Sequence, residues 1–288
     1  MNEYLFNIKS RLNILFKLKV MPLKERIQIV SKYHINNKAS EIIKDRYLVR
    51  NKNEKGYFLF GRNRFYFDVD YHVNNYEILK VGVSQTIVEA FVNPLLFSKK
   101  VKINPGDVCF DLGANIGTTS VIFSQLSGNN GRVYAFEPVI PHLLKKNMTI
   151  NNAKNVTVFD YGISDKDGSV EIEISDFCSD SSIAKRKFSD GFYSCKKTIS
   201  TITLDTFIQK YNLDRVDFIK IDIEGAEELA IRGADVLIKR FKPKFSISSY
   251  HIDFQNQPQH SKLVQILKRD YGYKIETLGR KHIFAWKD

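Results

Sequence analysis

The pattern of apolar and polar positions changes character after the turn at Asn104-Pro105-Gly106-Asp107. From there, short apolar runs alternate with longer segments in which apolar residues recur at helical spacing. Because strands and helices alternate, and each predicted strand is apolar on both faces, the pattern predicts an α/β fold with a parallel, doubly wound sheet. The predicted strands are Val108–Leu112, Arg132–Phe136, Val156–Tyr161, Val216–Asp222 and Lys244–Ser249. The predicted helices are Thr118–Leu126, Pro141–Ile150 and Glu227–Arg240.

Two segments interrupt this alternation. Residues 176–197 are rich in Ser, Asp and Lys and have no clear period, which is typical of a lid or a disordered loop. The chain ends with two apolar runs, Tyr273–Leu278 and His282–Trp286, separated by Gly279-Arg280-Lys281. This spacing predicts a β-hairpin that adds an antiparallel strand to the sheet. A dinucleotide dehydrogenase domain does not end in this way.

The N-terminal residues have a different organisation. An aromatic β-hairpin is predicted from Gly56–Phe60 and Arg64–Val69, with its turn at Gly61 to Asn63. Helical periodicity predicts helices at residues 5–18, 23–34, 39–47 and 85–97. We therefore divide the chain into a basic helical extension (1–55), a hairpin and helix that lead into the main domain (56–100), and the main domain (101–288), which carries the polar insert 176–197.

The net charge of +12 is concentrated in the extension, because residues 1–55 hold 13 of the 44 Lys and Arg residues and only 5 of the 32 Asp and Glu residues. Two interpretations of this basic amphipathic region stay open. It packs on the main domain and exposes its polar face, or it binds anionic lipid or an acidic partner. Binding to nucleic acid is less favoured.

Features of export are missing from the sequence. Basic residues from Lys9 to Lys19 interrupt every apolar run that a signal peptide needs, and no uninterrupted apolar stretch of about 18 residues occurs. The three cysteines form no CxxC pair, so neither a disulfide framework nor a cysteine metal cluster is indicated. We expect a cytoplasmic protein, with peripheral membrane contact through residues 1–55 as an open alternative.

The strand at Val108–Leu112 runs into the turn Gly113-Ala114-Asn115-Ile116-Gly117 and then into a helix. Gly113 and Gly117 allow sharp turns, and the amides that open the helix attract polar ligand groups. A dinucleotide site prefers Gly-x-Gly-x-x-Gly, but Asn115 stands at the second glycine. A cofactor with a carboxylate, an amine and a nucleoside but no pyrophosphate fits better, and S-adenosylmethionine is that molecule. The alternative is a strand-turn-helix whose glycines serve packing alone.

Three acidic residues complete the predicted cofactor site. Glu137 ends the second strand, twenty residues after Gly117, which is the spacing of an acidic residue that accepts hydrogen bonds from a ribose diol. Asp111 is predicted to face the cofactor's ammonium, directly or through water. Asp160, near the end of the third strand, is predicted to accept the adenine amino group, although an ordinary turn aspartate is an equal alternative.

A second group of candidate residues follows the strand that ends at Asp222. The carboxyl ends of parallel strands meet at the edge where ligands bind, so Asp222, Glu224 and Glu227 are candidates for aligning an acceptor and removing its proton. Alternatively, Asp222 and Glu227 favour the start of the following helix, or the three carboxylates hold a divalent cation. His251 follows the next strand and is a candidate base, or an ordinary buried or surface histidine. We assign no metal ligand from the sequence.

These motifs resemble the FkbM-type family of class I S-adenosylmethionine-dependent methyltransferases, over about residues 80–288. The resemblance implies a Rossmann-like sheet of seven strands with the last one antiparallel, and O-methylation of hydroxyl groups on glycans, polyketides or similar metabolites. One departure is Ser248-Ser249-Tyr250 before His251, where many relatives are expected to have a carboxylate. The resemblance is carried by Asp111–Gly117, Phe136-Glu137-Pro138, Thr203-Leu204-Asp205 and Ile219–Glu227.

The leading hypothesis is therefore an S-adenosylmethionine-dependent O-methyltransferase that acts on a hydroxyl of a glycan, a lipid-linked sugar or a small metabolite. A nucleic-acid methyltransferase is the nearest alternative, but the Asp/Asn-Pro-Pro-aromatic motif expected for exocyclic amines does not occur at Asp222-Ile223-Glu224-Gly225. The other alternative is a non-catalytic, membrane-associated protein that retains the fold. The sequence does not indicate an oligomeric state.

Overall fold

A computed structural model describes residues 48–50, 56–60, 63–67, 98–174, 195–253 and 255–288. The chain divides into two compact units, Met1–Pro94 and Leu95–Asp288. The helices predicted at 5–18, 23–34, 39–47 and 85–97, and with them the proposed membrane contact of residues 1–55, lie outside the described residues. Among the residues that are described, no helix is long and apolar enough to cross a lipid bilayer.

The described part of the first unit is a three-stranded antiparallel sheet. Its strands are β1 (Leu48–Arg50), β2 (Gly56–Phe60) and β3 (Asn63–Phe67). The strands β2 and β3 pair along their length, with Phe58 opposite Phe65. The predicted aromatic hairpin is therefore present, and β1 adds a strand that the periodicity did not predict.

The second unit is built on a seven-stranded mixed sheet in the order β12-β13-β11-β10-β4-β5-β6. The strands β11, β10, β4, β5 and β6 are parallel, and β13 pairs antiparallel with both β11 and β12. This is the fold class predicted from the sequence, including the antiparallel final strand. The strands are β4 (Val108–Leu112), β5 (Arg132–Phe136), β6 (Val156–Phe159), β10 (Phe218–Ile221), β11 (Lys244–Ser248), β12 (Lys274–Leu278) and β13 (His282–Trp286).

Helices α1 (Thr118–Ser127) and α2 (Pro141–Ile150) follow β4 and β5, within one residue of the predicted bounds. Aromatic side chains fill the core between the sheet and α3 (Leu204–Lys210). Phe207 of α3 meets Phe110 and Phe136 edge to face, with ring centroids 5.6 and 4.8 Å apart. A helix α6 (His260–Gln265) and a π-helical turn (Ile266–Asp270) precede β12.

The predicted helix Glu227–Arg240 is two helices, α4 (Glu227–Arg232) and α5 (Asp235–Phe241). Gly233 separates them because it packs against the carbonyl oxygen of Ser164, where a Cβ would collide. The amide of Asp205 donates to the Gly233 carbonyl, and the Asp205 carboxylate accepts hydrogen bonds from the amides of Val236 and Leu237 at 2.9 and 2.8 Å. The Thr203-Leu204-Asp205 motif therefore has a structural use, since Thr203 also caps α3.

A second small sheet, in the order β7-β9-β8, was not predicted. Its strand β9 includes the last residues of the segment that we interpreted as a lid or loop, and residues 175–194 lie outside the described part. Lys196 pairs with Glu171 on β8 at 2.6 Å, and Lys197 donates to the carbonyl of Val139 at 3.0 Å. These polar partners lie far away in sequence, so periodicity alone missed the strand. The strands are β7 (Gly162–Ile163), β8 (Gly168–Ile174) and β9 (Cys195–Ile202).

Candidate active site

A row of polar side chains crosses the otherwise apolar centre of the sheet. Asp111 of β4, Lys220 of β10 and Ser246 of β11 are register partners, so they lie side by side on one face. The Lys220 ammonium lies 3.3 Å from Asp111 Oδ1, and the two side chains are only 7% and 0% exposed. Burial lowers the pKa of Lys220, but the carboxylates of Asp111 and Asp222 raise it more, so its pKa lies above the usual range.

Asp111 has interior partners in this arrangement. Its Oδ2 accepts hydrogen bonds from the hydroxyls of Thr119 and Ser120, both at 2.6 Å, near the start of α1. Its other oxygen faces Lys220. The fully buried carboxylate is turned toward α1 and Lys220, and its predicted contact with the cofactor's ammonium, directly or through water, stays a prediction. The carboxylate orients the end of β4 and the start of α1, and the physical reason is that a buried carboxylate needs charged and hydrogen-bonding partners.

The turn after β4 is held against two neighbouring strands. The amides of Gly113 and Ala114 both donate to the carbonyl of Phe136, at 3.1 and 2.9 Å. The Gly113 carbonyl accepts from Lys220 Nζ at 2.8 Å. Gly113 has φ +74°, and a Cβ at this position would collide with the backbone carbonyl oxygen of Asp222. The glycine therefore brings the predicted cofactor turn into contact with the loop that carries the acidic cluster.

Asn115 and Glu137, both predicted cofactor residues, contact each other. Asn115 has φ +51°, a left-handed conformation that Asn tolerates, and its amide donates to Glu137 Oε2 at 3.0 Å. Glu137 Oε1 accepts from the amides of Val139 and Ile140 at 2.8 and 3.2 Å. Burial raises the pKa of Glu137 by more than these hydrogen bonds lower it. The side chain is fixed at the edge of the sheet, and Oε2 retains accepting capacity beyond Asn115.

The end of the turn is fixed by α2. Gly117 has φ +92°, and a Cβ there would meet the side chains of Met148 and Leu144. Asn147 of α2 donates to the Ile116 carbonyl at 2.5 Å. The first helical residue, Thr118, is buried, and its hydroxyl has no hydrogen-bond partner among the described residues. The predicted glycines are therefore required by packing, and the turn also presents a polar atom in need of a partner.

Asp160 is exposed and directly follows β6, at the carboxyl edge of the sheet. Asp111 lies near the end of β4 at the same edge, and Glu137 and Asp222 directly follow β5 and β10 there. The predicted contact of Asp160 with an adenine amino group stays a prediction.

Glu227 and His251 form a buried pair. Their side chains are both 0% exposed, and Nδ1 of His251 lies 2.7 Å from Glu227 Oε1. Glu227 Oε2 accepts from Gln259 Nε2 at 2.6 Å, and the same carboxylate accepts from the amide of Gly225 at 3.1 Å. A fully buried carboxylate with this many donors is held rigidly, so Glu227 fixes the imidazole ring rather than contacting a ligand.

The other nitrogen of His251 faces two further carboxylates. Nε2 lies 3.4 Å from Glu224 Oε2 and 3.7 Å from Asp222 Oδ1. Burial lowers the pKa of His251, but Glu224 and Glu227 raise it more, to about 10. Neither Nε2 nor Asp222 Oδ1 has a hydrogen-bond partner among the described residues. The structure thus brings Asp222, Glu224, Glu227 and His251 together, as the sequence predicted.

Two residues of this site were missed at the level of sequence. Lys220 lies inside a motif that we singled out, but a lysine in an apolar strand carried no assigned role. The feature that could have identified Lys220 is its position opposite Asp111 in the register of β10 and β4. Gln259 has no such feature, because it reaches Glu227 from a segment 32 residues away.

Residues 111–275 match the family profile described as the methyltransferase FkbM domain, which covers more than half of the chain. The chain is also 27% identical over 128 residues to the hexuronic acid methyltransferase AglP of Haloferax volcanii. That alignment covers 44% of this chain and 49% of AglP, so the chain spans about half the length of this curated relative.

Two solved structures align with much of this chain. One is methyltransferase FkbM from Methylobacillus flagellatus KT, with 18% identity, a TM-score of 0.46, and coverage of 90% of this chain and 60% of that one. Another is fibrillarin from Aeropyrum pernix, in complex with natively bound S-adenosyl-L-methionine, with 15% identity, a TM-score of 0.40, and coverage of 70% and 73%.

Proposed function

Because the chain belongs to the FkbM methyltransferase domain family, we propose that it transfers a methyl group from S-adenosylmethionine to a hydroxyl group of a sugar-containing or related small acceptor. One observation carries this proposal. The turn after β4, in which Asn115 bonds to Glu137, lies next to the cluster around His251, because Gly113 packs directly on Asp222. Methyl transfer requires a donor site and an acceptor site in such contact.

The residues of the turn fit the donor. Glu137 Oε2 is an acceptor suited to the ribose hydroxyls, the exposed Asp160 is available to the adenine amino group, and the Thr118 hydroxyl needs a polar partner. The turn does not have the glycine pattern of a pyrophosphate site, because the left-handed Asn115 follows the tight turn at Gly113. When bound, S-adenosylmethionine supplies an electrophilic methyl group on a sulfonium.

The cluster on the acceptor side supports a hydroxyl acceptor. A hydroxyl oxygen becomes a good nucleophile only when its proton is removed, and carboxylates at the carboxyl edge of the sheet are suited to accept it. Asp222 is the most accessible member, with a side chain 33% exposed, whereas Glu227 and His251 are fully buried. The name of the relative AglP, a hexuronic acid methyltransferase, favours sugars among possible acceptors.

The donor site is tested by calorimetry with S-adenosylmethionine on the full chain. We expect binding that Glu137→Ala weakens strongly, since the variant removes the acceptor for the ribose. Glu171→Ala is the matched control, because Glu171 is an exposed glutamate on β8 that pairs with Lys196. An absence of binding, or equal binding by both variants, contradicts the donor site.

The acceptor class is tested with labelled S-adenosylmethionine and glycan, lipid and RNA fractions. We expect label in the glycan or lipid-linked sugar fraction, stable to mild base as a methyl ether is. Label found in RNA alone would favour a nucleic-acid methyltransferase instead.

A further inference from the structure

We propose that Asp222 Oδ1, Glu224 Oε2 and His251 Nε2 form a binding site for a divalent metal ion of the first transition series. These three atoms come from the loop after β10 and the residues after β11, and all lie within 4.8 Å of one another. Metal binding itself does not depend on the proposed methyl transfer.

The two distances from the imidazole nitrogen to the carboxylate oxygens are close to those between neighbouring ligands of one metal ion. Two ligand atoms that each lie about 2.1 Å from one ion are about 3.0 to 3.4 Å apart at octahedral or tetrahedral angles. His251 Nε2 is 3.4 Å from Glu224 Oε2 and 3.7 Å from Asp222 Oδ1. Each carboxylate is therefore placed to share one ion with the imidazole.

The imidazole is oriented as a metal ligand usually is. A ligating histidine typically donates its other ring N–H to a carboxylate, which fixes the tautomer and raises ligand basicity. Here Nδ1 donates to Glu227, which Gln259 and backbone amides hold in turn. When a metal ion displaces the proton on Nε2, the ring keeps its proton on Nδ1 and directs the Nε2 lone pair at the ion between Asp222 and Glu224.

The buried nitrogen gives independent support. His251 is 1% exposed, and its Nε2 has no hydrogen-bond partner among the residues that the structure describes. Asp222 Oδ1 is also buried and unpartnered within that part of the chain. A lone pair facing two carboxylates is stable only if a positive charge lies between them. That charge is either a proton on Nε2 or a metal ion, and we infer the ion.

The donor set indicates which ions fit. One imidazole nitrogen and two carboxylate oxygens suit Mn²⁺, Fe²⁺, Co²⁺ or Zn²⁺, whereas Ca²⁺ and Mg²⁺ prefer oxygen ligands alone. Three protein ligands leave coordination positions open, and Asp222 is partly exposed on that side. A hydroxyl bound at an open position would lose its proton more easily. This last step rests on the proposed function.

The test uses the full chain, treated with EDTA, dialysed and titrated with Mn²⁺ without S-adenosylmethionine. Binding is followed by the decrease of the EPR signal of free Mn²⁺. We expect one tightly bound ion per chain. Glu227→Gln should weaken its binding about ten- to a hundredfold, as loss of a carboxylate behind a ligating histidine does. His251→Asn and Glu224→Gln, which remove ligands, should weaken it more.

Glu228→Gln is the matched control and should bind Mn²⁺ normally. Glu228 is the neighbour of Glu227 on α4, but its carboxylate pairs with Arg232 and Lys262 outside the cluster. Circular dichroism checks that each variant is folded, and Glu224→Gln is the variant most tolerant of change because its side chain is 17% exposed. Absence of stoichiometric binding of Mn²⁺, Co²⁺ and Zn²⁺, or equal binding by all folded variants, overturns the proposal in favour of a protonated His251. Because no methyl donor is present, either result leaves the calorimetric test of the donor site unaffected.

Discussion

Lys220 and Asp111 form an ion pair across the neighbouring strands β10 and β4, 3.3 Å apart in the centre of the sheet. Lys220 also donates to the carbonyl of Gly113 at 2.8 Å, and its ammonium lies 3.8 Å from Asp222 Oδ2. One buried cation therefore connects the predicted cofactor turn with the candidate acceptor site.

Replacement of this cation by Lys220→Met should destabilise the protein by about 3–5 kcal/mol, because it leaves the Asp111 carboxylate buried and unpaired. The free energy of unfolding in urea measures this. The double variant Lys220→Met/Asp111→Asn should recover part of the loss, since it removes the buried charge. A loss below about 1 kcal/mol for Lys220→Met alone would contradict the importance of the pair.

Gly113→Ala should be far more harmful than Gly106→Ala. Both glycines have positive φ, +74° and +88°, so each alanine pays a backbone cost of about 1–2 kcal/mol. Only at Gly113 does the new methyl group collide with another backbone, at Asp222, whereas nothing lies within 4 Å of the Cβ position at Gly106. Thermal unfolding of the two variants compares these costs. Similar losses of stability would mean that the contact between the two loops is not tight in solution.

Asp205→Ala should cost about 0.5–2 kcal/mol, the usual effect of losing a helix cap. The Asp205 carboxylate accepts from two amides at the start of α5, and both would lose their partner. Asp214→Ala is a suitable control because Asp214 is an exposed aspartate. Urea unfolding of both variants is the measurement, and an equal effect of the two would show that Asp205 does not cap α5.

His282 should make the protein sensitive to acid. Its ring is buried on β13 and its Nε2 lies 2.9 Å from Ser246 Oγ. The pKa of His282 is lowered from 6.5 to about 4, mainly by burial. The Asp222 carboxylate raises this pKa by a smaller amount, and the Lys220 ammonium lowers it slightly. As the pH falls from 6.5 to about 4, the unfolded chain gains a proton that the folded protein does not, so stability falls by up to roughly 3 kcal/mol.

Comparison with His282→Gln isolates this effect from other acid titrations. The variant should lose less stability than the wild type over the same pH interval, so the difference in unfolding free energy shifts in its favour as the pH falls. A difference that stays constant between pH 7 and 4.5 would contradict the assignment to His282.

Much of the main sheet could be predicted from the sequence. The strands β4, β5 and β11 were recognised because each is a short apolar run, and the final hairpin because Gly279-Arg280-Lys281 separates two such runs. The division of Glu227–Arg240 into two helices could not be predicted, since it depends on contact between Gly233 and Ser164. The small second sheet was missed although Val170, Ile172 and Ile174 alternate with polar residues along β8, because its partner β9 is reached only across the polar segment 176–197.

The sequence predicted the acidic residues and the histidine that gather at the carboxyl edge of the sheet, but neither Lys220 and Gln259 nor the arrangement of the side chains. The sequence placed Asp222, Glu224 and His251 at one edge of the sheet, because each follows a parallel strand. Glu227 was considered as a base, a helix-favouring residue or a ligand of a divalent cation, yet its burial against His251 and Gln259 makes it a positioning residue. The contact of Asp111 with Lys220 was likewise not predicted.

The sequence by itself determined the strands of the main sheet, the glycine turn and the edge at which the candidate residues gather. These features follow from local periodicity and from the rule that parallel strands end at the same edge. Only the tertiary structure decided that Asp111 carries its charge inward and that Nε2 of His251 faces Asp222 and Glu224. The reason is that burial and pairing depend on side chains brought together from distant parts of the chain, and these determine electrostatic energies inside a protein.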